Sequence, residues 1–82
     1  MLEIIEETER VYIDAEGKKR TVAYSLWREQ EDYGFTVGEP GGQMETVGDV
    51  TRSEAKAKYL FQLLSHHLVT GVTLRDVLQD IL

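Results

Sequence analysis

The sequence predicts an α+β domain of order ββββαα, an antiparallel four-stranded meander with two helices packed on one face. Residues 1–50 are rich in strand-forming side chains that alternate with a period of two, whereas residues 51–82 follow a helical period. Two glycine-bearing turns punctuate the first half, which makes hairpins the natural connection. Residues 1–82 are therefore read as a single domain, 1–50 forming the sheet and 51–82 the two helices.

The strands are placed at Val11–Ile13, Thr21–Trp27, Tyr33–Val37 and Met44–Val50. Between the first two, Asp14, Ala15, Glu16 and Gly17 form a type I turn signal, Asp opening the turn and Gly accepting the left-handed conformation after it. Between the last two, Glu39, Pro40, Gly41 and Gly42 specify a type II turn. The polar stretch Glu29 to Asp32 carries no such signal and is read as a surface loop.

Thr51 with Glu54 reads as a capping box, Val50 and Ala55 supplying the staple, so the first helix is expected to start there. Leu60, Leu63, Leu64, His67 and Leu68 form its apolar stripe, flanked by Tyr59 and Phe61, and Gly71 reads as its stop. That gives about 18 residues and a length of about 27 Å, enough to cross the sheet. Thr73 is expected to cap a second helix, with Asp76 three residues on, Val72 stapling to Val77, and Leu74, Val77, Leu78 and Ile81 on one face. The apolar ending Ile81-Leu82 is expected to dock on the sheet or on another chain.

The first hairpin resists a simple one-sided sheet. Its turn sets Arg10 opposite Val22 and Ile5 opposite Trp27, which leaves Leu2 and Ile4 out of phase with Val11 and Ile13. Either a β-bulge interrupts the first strand or both faces are covered, and the second option implies a partner.

Composition narrows the function. The chain has no cysteine, so disulfides, thiolate metal sites and thiol catalysis are absent, which fits a reducing, cytoplasmic setting. A net charge of −6 disfavours nucleic acid and anionic membranes. The acid is concentrated in the first half, where five basic and twelve acidic side chains give −7, against +1 in the second. A chain of 82 residues needs nearly all its apolar side chains for its core, so neither a small-molecule pocket nor an enzyme is expected.

Individual residues reinforce that view. His66 and His67 are adjacent and point about 100° apart on a helix, so they do not chelate one ion; His67 is expected to pack and His66 to be exposed. Glu6, Glu7 and Glu9, like Glu29, Glu31 and Asp32, lack the spacing of a calcium loop and read as solvating charge. Gly38, Gly41, Gly42 and Gly48 lack a P-loop context, and Ser25, Ser53 and Ser65 lack a nucleophile elbow. Lys18, Lys19 and Arg20 follow a turn and read as solvated. No catalytic, cofactor-binding or metal-ligating residue is assigned.

Aromatic surplus is the remaining signal. Tyr12, Trp27 and Tyr33, with Ile5, are expected to form an interaction surface on the helix-free sheet face, serving a protein partner or a homodimer. The expectation is thus a non-catalytic cytoplasmic interaction or regulatory module. The alternative is a domain that senses a small ligand or divalent metal through its acidic loops.

The hairpin through Glu16, Gly17, Lys18 and Lys19 into Thr21 and Val22, the helix entry Gly48-Asp49-Val50-Thr51, and the ending Leu74 to Leu82 resemble a family of small uncharacterised proteins of clostridia-like Firmicutes, a domain of unknown function. The resemblance spans most of the chain. It implies no activity, so no site residue follows from it.

Overall fold

The computed structural model describes residues 2–81, and it has the order β1 (Leu2–Ile13), β2 (Lys19–Glu29), β3 (Asp32–Gly38), β4 (Met44–Thr51), α1 (Glu54–His66) and α2 (Leu74–Ile81). The strands form one antiparallel sheet in the order β1-β2-β3-β4, with the helices packed on one face, as the sequence predicts.

Local chemistry accounts for both turns that the sequence marks. The Asp14 carbonyl accepts from Gly17 N–H at 3.0 Å, and Gly17 takes φ of +81°, where a Cβ would be strained. The Asp14 carboxylate accepts from Glu16 and Lys18 N–H, both at 2.9 Å, and from Arg20 at 3.0 Å, which locks the reversal from inside. At the other end Gly42 N–H donates to the Glu39 carbonyl at 2.8 Å, with Gly41 at positive φ. The middle connection is tighter than a loop. Glu29 pairs with Asp32, leaving only Gln30 and Glu31 to turn, and Gln30 is driven to φ of +58°.

The bulge is real. Ile4 pairs with Trp27 and Glu6 with Leu26, so Ile5 is the extra residue and Trp27 sits opposite Ile4 rather than Ile5. Arg10 pairs with Val22 as expected. One inserted residue flips the phase of the strand, so Leu2 and Ile4 come to share a face with Val11 and Ile13. That shared face is the helix-free one.

On the other face, Val22, Tyr24 and Leu26 of β2 and Tyr33, Phe35 and Val37 of β3 are buried beneath the helices. Helix α1 spans all four strands and buries Ala57, Leu60, Phe61 and Leu64. Its ends differ from the expected ones. Ser53 is the N-cap, its side chain accepting from Lys56 N–H at 3.2 Å, while Thr51 stays in β4 and accepts from Ser53 N–H. The helix stops five residues before Gly71. Val69 N–H donates to the Leu64 carbonyl at 3.0 Å and Leu68 N–H to the Ser65 carbonyl at 3.4 Å, a Schellman closure with Leu68 at φ of +53°. His67 consequently caps the helix and is exposed, instead of packing on its stripe.

Thr73 does begin α2, its carbonyl accepting from Val77 N–H at 3.0 Å, although its hydroxyl turns back to Thr70. Val72 is 92% exposed and staples nothing. Leu74 and Leu78 enter the core, Ile81 stays largely exposed, and Leu82 lies outside the described residues. Arg75 fastens α2 to the sheet edge, its Nε donating to Glu45 at 2.7 Å and its Nη2 to the Thr46 carbonyl at 3.3 Å. The outer strand β4 is thereby partly covered.

Candidate functional site

The helices leave one face of the sheet open, where exposed apolar side chains stand among the charged residues Glu7, Glu9, Lys19 and Glu29. Leu2 and Ile4 are each 47% exposed, Val11 52%, Ile13 64% and Met44 40%. All five lie on this face by register. Antiparallel sheets tolerate one wet face when its residues are polar, and five exposed aliphatic side chains depart from that pattern.

Trp27 anchors the face. Its indole lies against Gly34 and Gly48; a Cβ on Gly34 would meet the ring at 2.5 Å and one on Gly48 at 3.3 Å. The bare backbone of two strands is therefore what lets the indole lie flat and stay 8% exposed. Its Nε1–H donates to Thr36 Oγ1 at 3.1 Å, and the Thr36 and Thr46 hydroxyls lie 3.1 Å apart. One hydroxyl proton of that chain remains available to an acceptor beyond the face.

The other expected surface residues lie elsewhere. Ile5, displaced by the bulge, and Tyr12 both pack against the helix-side core. Tyr33 is buried there too, and its hydroxyl donates to Glu54 Oε1 at 3.1 Å. That bond, joined by Lys58 at 3.4 Å, holds the Glu54 carboxyl below its ordinary value. Tyr33 and Glu3, the latter 2.7 Å from Arg28 Nη2, stabilise the Arg28 cation in the same chain of contacts. Of the four residues, Trp27 alone belongs to the open face. Leu2, Ile4, Val11, Ile13 and Met44 are not among the expected surface residues, although the phase conflict along β1 is the sign that points to four of them.

A cleft of about 650 Å³ opens on the helix side, between the end of the sheet and the connector from α1 to α2. Tyr12 and Val22 line it together with Glu39, Glu45, Arg75 and the exposed lip Val72. Its charges are already matched, Glu45 by Arg75 at 2.7 Å and Glu39 by Arg20 at 3.4 Å. Among the described residues no group of three acidic or histidine side chains is placed to hold a metal ion. His66 and His67 stand edge to face with centroids 5.4 Å apart and both are exposed. Among the described residues no helix is long and apolar enough to cross a membrane.

Fold and site together define a two-layer α+β protein with one helix-covered and one open, partly apolar sheet face. The chain belongs to a family of unknown function, DUF6514, whose family model matches residues 3–82. Searches of curated proteins and of solved structures found no match.

Proposed function

We propose that this protein is a non-catalytic interaction module whose open sheet face is covered by protein in its working state. The observation that carries the reading is the set of exposed aliphatic side chains gathered there by the β1 bulge, Leu2 and Ile4 beside Val11 and Ile13. A single-register strand would have divided these between the two faces; the bulge spends ladder hydrogen bonds to unite them on the side with no core to gain. A cytoplasmic location and a source among clostridia-like Firmicutes belong to the same reading, supported by the absence of cysteine and by the resemblance of the turns and helix ends.

The test compares recovery of bound proteins from native lysate by the tagged wild type and by a Val11→Lys/Ile13→Lys variant of verified fold. Copies of the chain itself are counted among the bound proteins. Loss of a stoichiometric bound protein in the variant supports the reading, and identical recovery by the two contradicts it.

The cleft favours a second reading, a small-ligand sensor, because 650 Å³ is within the range of ligand sites. A ligand at 100 times its dissociation constant should stabilise the fold by about 2.7 kcal/mol. A thermal-shift panel of divalent cations and small metabolites that left the melting temperature unmoved would remove this reading.

A further inference from the structure

The outer edge of β1 is a different surface from the open face. β1 ends the sheet on one side, so alternate backbone groups along it have no strand to pair with, whereas the opposite edge strand β4 is fastened by Arg75. It runs for 12 residues without a lysine or a proline, two common guards of an exposed edge. Charge on this strand is also unmatched. Among the described residues Arg10 is the one arginine without a carboxylate, and Glu6, on the same side of the strand, has no cation. Arg10 Nη1 donates to the Ser65 carbonyl at the end of α1 at 3.3 Å, which steadies the guanidinium while its side chain stays exposed.

We propose that two copies of this chain join edge to edge through β1, antiparallel about a two-fold axis through Thr8, which extends the sheet to eight strands. The proposal goes beyond the reading of the open face, because the contact is the strand edge and leaves that face to its own occupant. A two-fold contact uses the same patch on both copies, so β1 must complement its own reverse.

It does so in one register. With the bulged Ile5 left out, Thr8 is the midpoint of the eleven register positions of β1. Pairing about Thr8 sets Leu2 opposite the partner's Ile13 and Ile4 opposite the partner's Val11, each twice, and all four are among the exposed aliphatic side chains. On the helix side it sets Glu6 opposite the partner's Arg10, again twice, which gives each unmatched charge its counterpart. Glu3 falls opposite the partner's Tyr12, and Thr8 meets the partner's Thr8 on the axis. The bulge is what makes this possible. Without it Ile4 would fall opposite the partner's Tyr12 and Glu3 opposite the partner's Ile13.

One contact opposes the pairing. Glu7 stands opposite the partner's Glu9 on the open face, where both are exposed and water screens them. The neighbouring two-fold registers are worse. Centring on Glu7 sets that residue on its own copy and Glu9 against the partner's Ile4; centring on Glu9 sets Glu9 on its own copy and Glu7 against the partner's Val11. Each of them also loses the pairing of Glu6 with Arg10. The seam about Thr8 is about 37 Å long and is held chiefly by main-chain hydrogen bonds, as when a peptide strand adds to a sheet. Its area lies at the low end for a specific contact, so the dimer is reversible.

Thiols introduced into this cysteine-free chain test the register. Thr8 lies on the helix side, opposite Tyr24, so contact through the open face cannot join two thiols placed there. Oxidation of Thr8→Cys protein should give a disulfide-linked dimer several-fold faster than oxidation of Glu7→Cys or Glu9→Cys protein. Faster linking of either glutamate variant overturns the register.

Sedimentation equilibrium of a charge swap supplies the second arm. Glu6→Arg and Arg10→Glu proteins, each with unchanged circular dichroism, should dimerise about tenfold more weakly than the wild type when alone, since each then opposes like charges twice. Mixed in equal amounts they should recover wild-type affinity, because every Arg then faces a Glu, and a merely destabilised fold would not be rescued by mixing. A wild type that stays monomeric at millimolar concentration, or a mixture no tighter than its components, overturns the proposal. A monomer that still loses its lysate partner on Val11→Lys/Ile13→Lys substitution also overturns it, and leaves the protein-covered face standing.

Discussion

Tyr24 carries a hydroxyl that is buried without a hydrogen-bond partner, at the centre of β2 beneath the helices. Burial without compensation disfavours the phenolate and pushes its pKa above 10.0. The aromatic ring, by contrast, fills the core. Tyr24→Phe keeps the ring and removes the orphaned group, so it should be neutral or stabilising by about 1 kcal/mol, read from urea unfolding midpoints. Gly34 is the opposite case. A Cβ there would collide with the Trp27 ring at 2.5 Å and the Val47 carbonyl at 2.7 Å, so Gly34→Ala should destabilise by about 1–3 kcal/mol and shift Trp27 emission to the red. A blue-shifted or unmoved spectrum with unchanged stability would show that the indole does not lie on this strand. Trp27 was legible in the sequence as an unusual residue, but its glycine platform was not, since Gly34 and Gly48 become neighbours only once β3 and β4 pair.

At the scale of elements, what could be read in advance follows how local the cause is. The turns at Asp14 to Gly17 and Glu39 to Gly42 depend on the residues within them, and both form as the sequence indicates. The turn at Gln30 and Glu31 has no favourable residue; pairing of Glu29 with Asp32 imposes it from outside. Gln30→Gly should therefore stabilise the protein by about 0.5–1 kcal/mol, measurable as a rise in urea midpoint. Leu68 is similar, accepting a left-handed conformation so that Val69 can pack on the core, and this is why Gly71 misled as a stop. The bulge was half legible: the phase conflict left either an extra residue or a covered second face, and it could not locate the extra residue at Ile5.

The first hairpin also carries a pH dependence. Lys18 N–H, the Arg20 side chain and Glu16 N–H hold the Asp14 carboxyl below its ordinary 3.8. A depressed folded-state pKa means that the folded state binds its proton less readily than the unfolded chain does. The stabilisation is therefore complete above pH 3.8 and is lost as pH falls through the lower folded value. Glu54 acts in the same direction below 4.5. Urea midpoints should accordingly drop as pH falls below about 4.5, and Asp14→Asn should flatten the lower part of that decline while costing stability at neutral pH. A decline of unchanged slope in the variant would contradict the role given to Asp14.

For the whole molecule, the ββββαα order and the helix-covered side were legible from period and turn spacing. The candidate site was legible only in outline. Sequence reasoning placed Ile5, Tyr12 and Tyr33 with Trp27, whereas the bulge and the helix packing send those three to the core side and assemble a different set around the indole. An 82-residue protein has few apolar side chains to spare, so leaving five of them on an open face has a cost in solubility that a covering protein would remove.

Radical footprinting of the protein, dilute and purified or in its native lysate, measures that covering directly. The account predicts that labelling of Leu2, Ile4, Val11, Ile13 and Met44 falls several-fold in lysate while Tyr59 and Val72, exposed away from the face, label equally in both settings. Equal labelling of the face in lysate and in dilute solution would contradict it.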